Sequence, residues 1–283
     1  MWLWHTIKLF MWVLLMPDNW DFEGLTQNVL VKFDENSCCC GDISFPDTSK
    51  IKNPKNPISS ISKEFIENFE AYLKQLDIVE VAYVNEIQDY FLHNLNFNFK
   101  SAIIISYEIS ERIHKVGAGE KAQEYNNELY ESFGELTYEI SDYLRDNGFE
   151  TMVAHPREET LDFSHLAEKA GMGAIGRSGL LISPNKGPNQ KIAAILVNID
   201  NLPIVEYNPH LWISEYCNRC NSCIRKCPQN AFIQDKTNNS YEFIEELCIG
   251  CSKGCTECIK ACPFYKKGYK HMLMKFKKIK AKN

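Results

Sequence analysis

The sequence predicts an α+β protein in which a sheet domain is followed by a small cysteine-rich module. Three observations predict it. Nine cysteines fall within the 46 residues from Cys217 to Cys262. Over residues 58–210, β-branched runs alternate with helical segments without a clean βαβ repeat, which argues for an α+β sheet. The chain has 283 residues, 45% of them hydrophobic, enough to bury a core much larger than the cysteine module alone would need.

Residues 1–57 read as an N-terminal extension without an assigned role. The first 16 residues, MWLWHTIKLFMWVLLM, are apolar, but Lys8 interrupts them and Pro17 stops them. A spanning helix needs about 20 such residues. The stretch also lacks a basic leader and a small-residue cleavage site, so no secretory signal is expected. An upstream extension before a start at Met16 is preferred over an interfacial anchor. Cys38, Cys39 and Cys40 cannot all ligate one ion because they are adjacent. With Gly41 they resemble a fragment of the heterodisulfide reductase cluster motif, without its further spaced cysteines.

Ser62 can cap a helix running to about Leu76, with Phe65, Phe69, Tyr72 and Leu73 at helical spacing. Residues 78–84 and 102–107 are β-branched and read as strands. A long helix is expected over 120–145, stopped by Asp146-Asn147-Gly148. Then follow a strand at 151–154, a helix near 164–170, and strands around 180–183 and 192–199. Gly171, Gly173 and Gly176 match G-x-G-x-x-G, but this run follows a helix and leads into a strand. A dinucleotide fingerprint has the opposite order, so the glycines are assigned to a tight turn or to close approach of a large ligand.

The module carries the chemistry. Cys217, Cys220, Cys223 and Cys227 with Pro228 form C-x2-C-x2-C-x3-C-P, the spacing that sets three thiolates on three corners of a [4Fe-4S] cube while the fourth points to a second cluster. The second run offers Cys248, Cys251, Cys255, Cys258 and Cys262, five where four are needed. Crossed wiring is therefore expected, with Cys217, Cys220, Cys223 and Cys262 holding one cluster. Cys227, Cys255, Cys258 and either Cys248 or Cys251 hold the other. Zinc sites more often use two well-separated cysteine pairs. Disulfides suit neither the motif nor the reducing, cytoplasmic and anaerobic setting it implies.

The formal charge is -6, yet residues 266–283 carry eight lysines and no acid, leaving -14 on residues 1–265. An acidic body argues against a broad nucleic-acid face. The basic tail reads as a solvated, partly frayed terminus, with RNA, an anionic membrane or an acidic partner as its alternative contacts.

The segment Ser164-His165-Leu166-Ala167-Glu168-Lys169-Ala170-Gly171-Met172-Gly173-Ala174-Ile175-Gly176-Arg177, then Leu180-Leu181-Ile182 and the two cysteine runs, resembles epoxyqueuosine reductase, with reductive dehalogenases as more distant kin. The likeness covers about residues 150–268. It implies a nitroreductase-like sheet domain at 58–210 and a two-cluster bacterial-ferredoxin-like domain at 211–265, ahead of the basic tail at 266–283. It also implies cobalamin, with Gly171, Gly173 and Gly176 against it, and clusters that feed electrons to cobalt while an acid protonates the substrate. The region that bears the reductase's proton donor reads Pro156-Arg157-Glu158-Glu159-Thr160-Leu161-Asp162 here, which makes Glu158, Glu159 and Asp162 candidates. His165 is a fourth, able to donate to a substrate or corrinoid group, or else to make a helix-terminal hydrogen bond. Arg177 stands where the reductase has lysine and Ala174 where it has tryptophan, and the C-terminal helical repeats that help hold tRNA do not follow.

Two functions compete on this reading. One is a corrinoid-dependent reductase acting on a small molecule or a modified nucleoside, with tRNA disfavoured. The other is an electron-transfer protein whose sheet domain docks an electron donor or acceptor protein without a corrinoid. A structural or regulatory iron-sulfur protein is a minor third.

Overall fold

The computed structural model describes residues 45–281, apart from 77, 94, 96, 159 and 235–240. Residues 1–44, including the apolar start and Cys38, Cys39 and Cys40, and the candidate acid Glu159 lie outside the described residues.

The sheet is built from β1 (Glu80–Asn85), β2 (Ser101–Glu108), β3 (Thr151–Ala154) and β6 (Gln190–Val197), in the order β1-β2-β6-β3 with every pairing antiparallel. Alternate side chains of an extended strand leave by opposite faces. Ile103, Ile105, Ala193, Ile195 and Val197 therefore meet α1 (Lys63–Gln75) and α3 (Glu120–Asp146) through Phe69, Leu73, Phe133, Ile140 and Leu144. Ala102, Ile104, Ala194 and Leu196 meet Leu166, Ala167 and Ala170 on and beside α4 (Phe163–Lys169) on the other face. Both faces of β2 are covered, which is why Ala102 to Ile105 read as an unbroken apolar run rather than an alternating one.

The caps follow the sequence expectations. Ser62 Oγ accepts from Phe65 N–H at 3.1 Å and opens α1. Asn147 ends α3, and Gly148 turns the chain at φ +89°. The sequence reading missed α2 (Glu111–Val116) and the two-residue strand β4 (Ala174–Ile175), which are too short to show a period, whereas β5 (Leu181–Ile182) falls within the strand expected around 180–183. β7 (Phe232–Gln234) and β8 (Tyr241–Phe243) form a further hairpin inside the cysteine module.

The 1–57 boundary needs correcting, because the described part of that extension belongs to the sheet domain. Asp142 on α3 accepts backbone N–H bonds from Lys50 and Ile51 at 2.7 and 3.1 Å, and Asn53 pairs with Thr151 on β3. The basic tail also needs correcting. It is helix α10 (Tyr269–Lys280), with Met272 and Phe276 buried against Ile213 and Tyr216 of α5 (Trp212–Cys220). Its lysines hid an amphipathic stripe at i, i+4, so high charge was mistaken for fraying.

Candidate metal centre

All nine cysteines from Cys217 to Cys262 are free thiols. Four short helices carry most of them: α5, α6 (Ser222–Arg225), α7 (Gly250–Lys253) and α8 (Glu257–Ala261). Cys262 precedes Pro263, the first residue of α9 (Pro263–Lys267), where the missing proline N–H costs nothing.

Cys217, Cys220, Cys223 and Cys262 line a single small cavity of about 20 Å3, together with Arg177, Ser178 and Phe264. Three of these thiols come from the first run and one from the second. Their electrostatic coupling agrees, since Cys217 feels Cys262, Cys220 and Cys223. A second group forms around Cys248, which feels Cys251, Cys227 and Cys255. Cys258 feels Cys223 of the first group most, followed by Cys255 and Cys248 of the second. Among the described residues no three His, Cys, Asp or Glu side chains close on one point as a mononuclear ion would require.

Burial pushes the thiols of Cys217 and Cys258 up to about 12 and that of Cys262 up to about 11, and the neighbouring thiols add to the rise. Burial likewise raises Cys223 and Cys248. Thiols crowded and desolvated in this way resist ionisation by themselves, whereas a bound metal centre deprotonates its thiols outright. The donor set fits an iron-sulfur cluster. Backbone N–H groups already point at sulfur, from Ala231 to Cys227 and from Gly250 to Cys248, each at 3.4 Å.

The glycine segment sits against the first thiol group. A backbone hydrogen bond from Arg177 reaches Cys217, and the Ser178 hydroxyl bonds Cys223. A Cβ on Gly176 would stand 2.6 Å from Ile182 Cδ1 and 3.5 Å from Cys217 Sγ. One on Gly173 would stand 2.2 Å from the Ile182 carbonyl oxygen, and one on Gly171, at φ +76°, 2.6 Å from Val205 Cγ2. The close approach expected of these glycines is thus to the chain's own β5 and Val205. The order helix, glycines, strand holds, with α4 before them and β4 within.

The candidate acids separate. Asp162 caps α4, accepting from His165 N–H at 3.1 Å, while its other oxygen lies 2.6 Å from His165 Nδ1. His165 and Asp162 therefore serve the helix start, both well exposed. Glu158 is different: burial pushes its carboxyl up to about 7. It accepts a weak 3.4 Å bond from His155 N–H.

Sequence reasoning missed the group around Glu158. His155 Nε2–H donates to the Tyr130 carbonyl at 3.2 Å and Nδ1 accepts from Arg157 N–H at 3.3 Å, a neutral imidazole held by burial down to about 4. Lys191 on β6 donates to the Tyr130 hydroxyl at 2.6 Å and lies 4.1 Å from its ring centroid. Phe45 stacks on His155 at 4.8 Å. These residues lie far apart in sequence, so no local spacing announces them. Lys191 is opposite Tyr107 in the β2–β6 register, and Tyr107 packs in one apolar cluster with Cys258 and Tyr265.

The module is fastened to the sheet domain by a buried imidazole. His114 on α2 bridges Thr256 at 2.9 Å and Asn189 at 2.7 Å, and burial keeps it neutral. A Cβ on Gly254 would fall 2.5 Å from the Ala122 carbonyl, so α7 lies directly on the backbone of α3.

Fold and thiols together define an iron-sulfur protein with a sheet domain attached. Residues 210–233 match the 4Fe-4S binding domain family, a span that covers the first cysteine run and ends before the second. The chain is 31% identical over 108 residues to tetrachloroethene reductive dehalogenase of Dehalobacter restrictus, covering 38% of this chain and 19% of that protein. It is 30% identical over 114 residues to epoxyqueuosine reductase of Aliivibrio fischeri, covering 35% of this chain and 29% of that one. A solved reductive dehalogenase, described as suggesting a mechanism for B12-dependent dehalogenation, superposes with a TM-score of 0.59 at 19% identity, over 78% of this chain and 34% of its own. The chain is therefore similar to both reductase families and spans about a fifth to a third of the length of these relatives.

Proposed function

We propose that the protein is an iron-sulfur oxidoreductase that holds two [4Fe-4S] clusters and delivers low-potential electrons from them. The observation that carries this is the cavity lined by Cys217, Cys220, Cys223 and Cys262, because it unites thiols from both runs in one donor set. For the second cluster, Cys227, Cys255 and Cys258 are joined by Cys248, which feels Cys227 and Cys255 and is felt by Cys258. Peptide N–H groups aimed at sulfur and partial burial are the levers by which the chain sets the potentials.

The finer reading is delivery to a bound corrinoid for reduction of a small molecule or modified nucleoside. Its support is the likeness to dehalogenases and epoxyqueuosine reductases, one described as B12-dependent. The glycine segment does not fit a corrinoid cradle, since Ile182, Val205 and Cys217 occupy the space beside it. That same packing favours the second reading, an electron-transfer protein whose sheet domain docks a partner. In either, Glu158 and Glu80 are the described acids whose burial keeps a proton near neutrality.

The deciding experiment is titration of the anaerobically purified protein with cob(II)alamin, followed by electron paramagnetic resonance. A perturbed cobalt signal supports the corrinoid reductase, and an unperturbed one leaves electron transfer to a partner. Purified protein without iron and sulfide would sink both.

A further inference from the structure

The C-terminal helix forms a groove with the cluster module. A groove of about 300 Å3 runs between α5, α6 and α10, lined by Arg219, Cys220, Arg225, Pro263, Lys275 and Phe276 among others. Cys220 lines both this groove and the thiol cavity, so it is the wall between the first cluster site and solvent. No carboxylate lines the groove. Arg225 has no acidic partner among the described residues, and Lys275 donates to the Tyr216 hydroxyl rather than to an acid. Glu215, the nearest acid on α5, is engaged by Lys280 at 2.5 Å and Arg219 at 3.8 Å.

We infer that this groove is the docking site of a small acidic one-electron carrier protein that reduces the first cluster. The inference rests on the iron-sulfur reading and adds the surface and the partner. Charge complementarity selects the partner class, because the cations concentrate along α10 on a chain whose residues 1–265 carry -14. A long polyanion such as RNA would run from this strip onto acidic surface, whereas a small protein with one acidic face touches the strip alone. The apolar floor of Phe276 and Ile279 beside a cationic rim matches a protein interface better than a free-anion site. The step moves one electron: the carrier is oxidised by one, the cluster is reduced by one, and no bond or proton moves.

The test uses reduced bacterial flavodoxin, an acidic carrier, with the anaerobic holoprotein. Stopped-flow reduction of the clusters should slow steeply with added salt. The double variant Arg225→Glu with Lys275→Glu should lose roughly tenfold or more in second-order rate constant. Reduction by dithionite should stay unchanged, as should the flavodoxin rate of Lys253→Glu, a control beside the second thiol group. Carbodiimide cross-linking, read by mass spectrometry, should map to Lys275, the lysine that lines the groove. Equal rates in the double variant would overturn the inference, as would cross-links centred on other lysines or displacement of flavodoxin by a short RNA at stoichiometric amounts. Failure of dithionite to reduce the protein would instead strike the iron-sulfur reading, with the cross-link map still deciding the docking surface.

Discussion

The two thiol groups are built differently. The first is enclosed by parts distant in sequence: the glycine segment supplies Arg177 and Ser178, α5 supplies Cys217 and Cys220, and Cys262 closes it from the far side. The second is more local, drawing on Cys248, Cys251, Cys255 and Cys258 from one short stretch plus Cys227, and it leans on α3 through Gly254. Long-range enclosure makes the first group dependent on the sheet domain's fold. Local construction leaves the second with a spare thiol and a ligand choice that the first does not have.

The largest effect should come from breaking that dependence. In Gly173→Ala the new methyl group meets the Ile182 carbonyl oxygen at 2.2 Å, a backbone atom that cannot rotate away. We expect a loss of about 2 kcal/mol or more of stability. Iron should be lost preferentially from the first group, read as anaerobic iron content and as the change in each cluster's paramagnetic signal. Equal loss from both groups would show that the enclosure is not specific. The second group's spare thiol gives the next contrast. Cys248→Ser should lower its iron occupancy strongly while Cys251→Ser leaves it near normal, measured on matched preparations; the reverse would exchange their roles.

A smaller effect lies in the sheet domain. Burial raises Glu158 from the ordinary 4.5 to about 7, so its ionisation opposes folding as pH climbs through that window, and Glu80 acts in the same direction. His155, held down to about 4, acts oppositely: its contribution is present above pH 6.5 and is lost as pH falls toward 4. Glu158→Gln should therefore flatten the decline of stability between pH 5 and 8 by on the order of 2 kcal/mol and leave the acid side unchanged. Urea unfolding at several pH values checks this, and an unaltered slope would mean that Glu158 is solvated.

What was legible in the sequence follows the same divide. Local chemistry was readable: the cysteine spacing, the Ser62 cap, the Gly148 stop, and the apolar run of β2 all work within a few residues. The helix–glycine–strand order of the G-x-G-x-x-G segment was readable, but the thiol beside Gly176, Cys217, is 41 residues away and could not be read from spacing. The same holds for Tyr130, His155 and Lys191, which strand register and helix packing bring together. The basic tail was misread because lysine content was weighed above the Met272 and Phe276 stripe.

Crossed wiring is the central claim, and pairs of substitutions test it most directly. If Cys217 and Cys262 serve the same cluster, the double variant Cys217→Ser with Cys262→Ser should keep about four irons, while Cys255→Ser with Cys262→Ser should keep almost none. The opposite pattern, with the first pair emptied and the second retaining about four irons, would contradict the crossed assignment.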